Sequence, residues 1–177
     1  MTARATLGLG GNIGDPAKTM AAALRLIDAR ADTRVVVVSR LYRTPPWGKT
    51  DQPFFFNACA AIETTLGPRE VLDLCLETER AFKRERRERW GPRTLDLDVL
   101  DYDGMPYEDA ALTLPHPRVS ERAFVIVPLA DIAPDLRFGE CTVTEWVARV
   151  DRDGIEPASE DGAWWRETGE ALAASTR

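Results

Sequence analysis

From residue 95 to 99 the chain reads LDLDV. Successive side chains of a strand point to opposite faces, so Leu95, Leu97 and Val99 fall on one side of an extended segment and Asp96 and Asp98 on the other. A helix has no period of two. The stretch therefore calls for a strand with one face in a core and one face outward. Two carboxylates sharing that outer face repel, and each is best solvated. A divalent cation relieves the conflict; so, more simply, does exposure of two ordinary surface acids.

The periodicity around this strand sets the fold class. Residues 5–9 read as a short buried strand running into a glycine-rich turn. Asp15 is placed to cap a helix with Pro16 at its first position, and Met20, Leu24 and Ile27 recur at helical spacing. The β-branched run 34–42 reads as a strand, and 54–64 as another. Pro68 opens a second helix with Val71, Leu72, Cys75, Leu76, Glu79 and Phe82 along one side, and the strand 94–102 follows. The order β-α-β-β-α-β is the split pattern of an α+β, ferredoxin-like fold, with helices packed on one face of an antiparallel sheet. Asp103-Gly104 marks a turn. C-terminal additions come next: a short strand at 112–114, the segment PHPR, a turn or helix to 132, and a last helix over 142–150 opened by a Thr142/Glu145 capping box. Residues 1–150 read as one domain. The acidic stretch 151–177, with Trp164 and Trp165, reads as a tail that folds back or is partly disordered.

Composition excludes several functions. The 177 residues carry a net charge of −6, which argues against broad nucleic-acid binding. No apolar run approaches the roughly 20 residues of a membrane span, and residues 1–12 lack the apolar core of a signal peptide. A cytoplasmic monomer without membrane or nucleic-acid partners is expected. Cys59, Cys75 and Cys141 form no CxxC pair, which disfavours a zinc site or disulfide framework. His116 is the single histidine.

Against this acidic background, positive charge gathers just before the acid pair, at Arg84, Arg86, Arg87, Arg89 and Arg93. Guanidinium groups bind phosphate oxygens in a fork. A basic helix end accounts for Arg84 and Arg86. Arg89 and Arg93 flank Trp90-Gly91-Pro92, which cannot stay helical, so a loop is expected to bring Arg93 to the acids as a lid. Residues 8–15, GLGGNIGD, lack the G-x-G-x-x-G spacing of a dinucleotide site; a glycine turn suffices for them. Gly48-Lys49-Thr50 lacks the earlier glycine of a phosphate loop, because Arg43 stands there. Phe55 and Asn57 share a strand face. A ring to stack and an amide to pair suit a flat heterocycle, the alternative being a core aromatic beside a satisfied amide. His116 lies between prolines and near Arg122, where an imidazole can donate to a phosphate.

The segment 89–100, RWGPRTLDLDVL, resembles the signature of the 6-hydroxymethyl-7,8-dihydropterin pyrophosphokinase family. LGLGGNIGD, SRLYRTPPWGKTDQPFFFNA, LPHPRVSERAFVIVPL and DIAPDL are similar to that family in the same order, over about residues 5–150. The resemblance implies transfer of pyrophosphate from ATP to the hydroxymethyl group of the dihydropterin, releasing AMP, in tetrahydrofolate biosynthesis. It places two Mg²⁺ on Asp96 and Asp98, with Arg84 and Arg93 beside them as catalytic residues. It implies ATP contacts from Glu79, Arg84, Arg86, Arg89, Trp90, Arg93, His116 and Arg122, and pterin contacts from Thr44, Pro45, Trp47, Phe55, Asn57 and Phe124. Three positions depart from the family pattern: Lys83 stands where a glycine is frequent, Phe55 for a tyrosine, and Trp47 for a smaller aliphatic residue. Two rivals remain open, an ordinary kinase releasing ADP and a non-catalytic ferredoxin-like module binding a nucleotide or RNA.

Overall fold

The structure is a computed structural model that describes residues 1–46, 51–82 and 94–166. It opens with β1 (Ala3–Gly11), followed by α1 (Pro16–Asp28), β2 (Thr33–Val38), β3 (Tyr42–Thr44), β4 (Phe55–Thr64), α2 (Pro68–Ala81) and β5 (Asp96–Tyr102). Strand β1 runs antiparallel between β4 and β5. The far side of β4 is paired by β2 at one end and β3 at the other. The sheet is thus mixed in length and antiparallel at every described pairing.

Local sequence chemistry accounts for the element ends. Asp15 caps α1 by accepting from the Lys18 backbone N–H at 3.2 Å, with Pro16 in the first turn. Glu70 reaches back to the Gly67 N–H at 3.0 Å and closes the start of α2. Asp103 and Gly104 both have positive φ, 55° and 68°, and turn the chain after β5.

The strand expected over 34–42 is divided. At the break, Ser39 N–H donates to the Cys59 carbonyl at 2.8 Å, while Cys59 N–H donates to Ser39 Oγ at 2.9 Å. A side-chain oxygen replaces a ladder carbonyl there, which ends β2. The glycine-rich stretch also differs from expectation. Strand β1 does not stop at Leu9 but runs through Gly11, paired on both sides to Gly10. The turn begins at Asn12, and Gly14, with φ of +68°, is the glycine that the bend requires.

Both faces of the sheet are covered, not one. Ala5, Leu7 and Leu9 of β1, with Ala58, Ala60 and Ile62 of β4 and Leu97 and Val99 of β5, pack under α1 and α2. After β5 the chain adds β6 (Tyr107–Glu108), β7 (Thr113–Leu114), a 3₁₀ turn (Val119–Glu121), α3 (Ala123–Ala130), β8 (Arg137–Phe138), β9 (Cys141–Thr142), α4 (Val143–Arg149) and β10 (Glu156–Pro157). Val125, Ile126 and Leu129 of α3 and Val143 of α4 pack with Cys59 and Leu100 as a second core. Leu100 continues the face of Asp96 and Asp98, and the strict alternation of β5 breaks only after it, where the register shifts between Thr6 and Leu7. Leu100 thus gives α3 a large apolar side chain to cover on that face. Residues 151–166 return to the sheet: β10 pairs with β3, and Trp164 and Trp165 are buried in the first core. All three cysteines are unpaired and buried, and burial pushes the Cys59 and Cys75 thiols up, which keeps them protonated. Among the described residues no helix is long and apolar enough to cross a membrane.

Candidate active site

The register of β1 places the candidate residues in rows. Gly10 lies opposite Asn57 on β4 and Asp96 on β5; Gly8 lies opposite Cys59 and Asp98. Residues directly opposite in an antiparallel ladder point to the same face. Glycine adds no side chain, so β1 forms a backbone floor at Gly10, between Asp96 and Asn57, whereas Gly8 is buried with Leu100 packed over it. Adjacent strands are about 4.8 Å apart, so the two sides of this trough stand roughly 10 Å apart. The floor has to stay bare, because a Cβ on Gly10 would lie 2.8 Å from Asn57 Oδ1.

On the acidic side, Asp96 and Asp98 are both half-buried. They sit on β5, an edge strand of the sheet. The outward N–H of Leu97, between them, donates to the buried Glu79 Oε1 at 3.0 Å. Helix α2 thereby satisfies an edge donor and holds the acid strand against the core. Arg122 Nη1 lies 3.9 Å from Asp98 Oδ2, and the same guanidinium lies over the Phe124 ring, 5.9 Å from its centroid. His116 is tied beside β5 by its N–H to the Leu100 carbonyl, 2.9 Å. Its Nδ1 accepts from the Arg118 N–H at 3.2 Å, which leaves Nε2 as the N–H donor of a neutral ring. Burial lowers the pKa of His116; the Asp98 carboxylate opposes the shift, and Arg122 and Arg118 reinforce it.

On the amide side, Asn57 Nδ2 donates to Thr44 Oγ1 at 3.2 Å, and both residues are buried. Phe55, opposite Thr44, is half-buried on the Asn57 face, whereas Phe56 turns to the first core and Phe54 is exposed. Phe124, at the start of α3, packs against the second core on the trough side. Pro45 follows β3 and is exposed.

The structure thus brings Asp96, Asp98, Phe55, Asn57, Thr44, His116, Arg122 and Phe124 to one side of the sheet. Trp47, Arg84, Arg86, Arg89, Trp90 and Arg93 lie outside the described residues. Gly10, which reads from the sequence as part of a glycine turn, lies between Asn57 and Asp96 on this face. Its signal was present, since G-L-G has the same period of two as D-L-D. A separate cleft of about 470 Å³, lined by Asn12, Ile13, Pro16, Arg43, Phe54 and Phe56 among others, contains neither acid of the pair nor Asn57.

Fold and face together define the class: a mixed α/β protein whose antiparallel sheet gathers two carboxylates, an amide and aromatic rings on one face. The family model described as 7,8-dihydro-6-hydroxymethylpterin-pyrophosphokinase (HPPK) matches residues 6–134. The chain is 54% identical over 153 residues to the 2-amino-4-hydroxy-6-hydroxymethyldihydropteridine pyrophosphokinase of Methylorubrum extorquens, covering 86% of this chain and 97% of that one. It is 41% identical over 157 residues to the protein of the same name from Pseudomonas aeruginosa, covering 88% and 97%. In fold it is similar to the wild-type HPPK-DHPS crystal structure from Plasmodium falciparum, with a TM-score of 0.69 at 13% identity over 89% of this chain and 48% of that one. The chain therefore spans about half the length of that solved chain. The chain belongs to the 7,8-dihydro-6-hydroxymethylpterin-pyrophosphokinase family.

Proposed function

We propose that the trough floored by Gly10 is where this chain carries out its reaction, the transfer of pyrophosphate from ATP to the hydroxymethyl group of 6-hydroxymethyl-7,8-dihydropterin in folate biosynthesis. The observation that carries this placement is the row Asn57–Gly10–Asp96. It sets a heterocycle-reading amide and a phosphate-side carboxylate on one face, separated by backbone alone.

Each residue then has a task. Asn57 and Thr44 read the pterin edge, with Pro45 beside them, and Phe55 and Phe124 stack on its rings. His116 donates Nε2–H to a phosphate oxygen, and Arg122 neutralises phosphate charge next to Asp98. Glu79, implied by resemblance as an ATP contact, also positions β5 through Leu97. Trp47 is assigned to the pterin side. Arg84, Arg86, Arg89, Trp90 and Arg93 are assigned to the phosphates, with Arg84 and Arg93 nearest the reacting groups. The hydroxymethyl oxygen attacks the β-phosphorus while the bond from that phosphorus to the AMP oxygen breaks. Positioning and charge neutralisation carry most of such a step.

The acid pair suits Mg²⁺. That ion takes one or two carboxylates and completes its shell with phosphate and water oxygens. Among the described residues no group of three or more His, Cys, Asp and Glu side chains gathers into a protein-only cage. When bound to Asp96 and Asp98, two such ions would screen phosphate charge and acidify the attacking hydroxyl.

The order β1-α1-β2-β4-α2-β5 supports a ferredoxin-like core, with residues 1–150 as one domain and the later segments as additions. The same reading takes the enzyme as a cytoplasmic monomer whose partners are its two substrates.

Separation of nucleotides after reaction with the hydroxymethyl dihydropterin tests the reaction: AMP is expected, and ADP would replace it with the ordinary kinase. The non-catalytic module is not favoured, because the family is one of pyrophosphokinases. The floor is tested separately by Gly10→Ala, whose methyl would displace the Asn57 amide. Loss of that recognition costs about 1–2 kcal/mol, or roughly 5- to 30-fold in pterin KM. The KM for ATP is expected to hold, and an unchanged pterin KM would remove Asn57 from the site.

A further inference from the structure

We infer that residues 151–166 form a strap that sets the position of the pterin-reading edge, and that Gly154 is its point of contact with that edge. This inference rests on the proposed roles of Thr44, Pro45 and Asn57.

Strand β3 is only three residues long and meets β4 through three paired positions. It carries Thr44, whose hydroxyl accepts from Asn57. A strand so short is weakly held by one neighbour. The strap supplies the other neighbour. Glu156 pairs with Arg43, and Pro157 with Tyr42. Ala158 N–H donates to the Leu41 carbonyl at 2.7 Å, and Leu41 N–H donates to Ser159 Oγ at 2.9 Å. Arg43 and Glu156 add an ion pair across the same two strands.

The two ends of the strap are fixed differently. At its far end, Trp164 and Trp165 are buried in the first core, Trp164 Nε1 donates to the Ser39 carbonyl at 2.8 Å, and Arg25 Nη1 donates to the Trp165 carbonyl at 2.8 Å. Gly162 lies so close to the Val38 carbonyl that no side chain fits between them. The near end lies against the pterin edge. Gly154 has φ of +80°, and a Cβ there would stand 2.8 Å from Pro45 Cγ and 3.0 Å from Pro45 Cδ. A firmly anchored segment therefore ends in van der Waals contact with the residue after Thr44. Displacing the strap at Gly154 moves Pro45, Thr44 and, through the shared hydrogen bond, Asn57. Gly154 is accordingly a positioning residue, acting on substrate only through Pro45 and Thr44.

The test compares two glycines in the full-length enzyme. Gly154 and Gly104 both hold positive φ, so alanine strains the backbone at each, but nothing lies within 4 Å of a Cβ on Gly104. Steady-state kinetics for both substrates and thermal unfolding are measured for Gly154→Ala, Gly104→Ala and Thr44→Ala. Gly154→Ala is expected to raise the pterin KM roughly tenfold, inside the limit of about 10²-fold for a misplacement near 1 Å. The ATP KM should stay unchanged, and Gly104→Ala should alter neither KM at a similar loss of stability. Ser159→Ala, which removes one strap hydrogen bond without backbone strain, should raise the pterin KM in the same direction if Gly154→Ala does not fold. Equal pterin KM values for the two glycine variants, with Thr44→Ala still impaired, overturn the strap's role and leave the pterin site standing. An unimpaired Thr44→Ala overturns the placement of the pterin edge and this inference with it.

Discussion

Replacing Asp96 or Asp98 by alanine is expected to reduce turnover by at least roughly 10³-fold while the protein stays folded. The size follows from what a bound divalent ion contributes to phosphoryl transfer: several kcal/mol of charge stabilisation, where each 1.36 kcal/mol is about a factor of ten in rate. Preservation of the fold follows from the position of the pair. Both side chains are half-exposed on the trough face, whereas Leu95, Leu97 and Val99, on the other face, are buried. Asp98 pairs with Arg122 at 3.9 Å, a partly exposed pair of the kind worth about 0–1 kcal/mol. Turnover and pterin affinity should therefore separate from the melting temperature. The decisive measurement is rate against Mg²⁺ concentration for each variant. Near-normal turnover at limiting Mg²⁺ would show that these carboxylates hold no catalytic ion.

The second large effect is on stability. Trp164→Ala is expected to cost about 3–5 kcal/mol, the usual range for an aromatic removed from a core. Trp164 is 7% exposed, belongs to the core under α1 and α2, and satisfies the Ser39 carbonyl through its indole N–H. For a chain of this size, each kcal/mol moves the melting temperature by roughly 2–4 °C, so a fall of about 6–20 °C is expected in calorimetry. Trp146 makes a comparable bond to the Phe138 carbonyl but is only half-buried. Its alanine variant should cost less. A shift within about 2 °C for Trp164→Ala would mean that the C-terminal segment is not docked in solution.

The two kinds of residue behind these effects were legible to different degrees. The acid pair was readable because strand parity is a local property. Leu95, Leu97 and Val99 had to share a face, and Asp96 and Asp98 had to oppose them. The caps at Asp15 and Thr142 were readable for the same reason, since each involves a side chain and a backbone group three residues apart. The break at Ser39 was not, because it depends on Cys59, twenty residues away. Gly8 and Gly10 read locally as turn residues. Gly10 becomes a floor, and Gly8 a seat for Leu100, only once β4 and β5 lie on either side of them. The covering of both sheet faces was hidden too, since α3 meets Cys59 and Leu100 together only once β4, β1 and β5 lie side by side.

By itself, the chain's sequence determined the order of strands and helices to Tyr102 apart from the break that divides 34–42 into β2 and β3, the two carboxylates on one strand face, and the family resemblance carried by residues 89–100. Those features depend on neighbours within a few positions, where periodicity, capping and motif spacing act. Tertiary structure alone decided which strands flank β1, and so set Asn57 across from Asp96. It also turned Glu79 into the brace of β5 and carried residues 151–166 back to Pro45. Each of these joins residues distant in sequence, and is fixed by register and by burial of side chains such as Trp164, for which no local pattern exists.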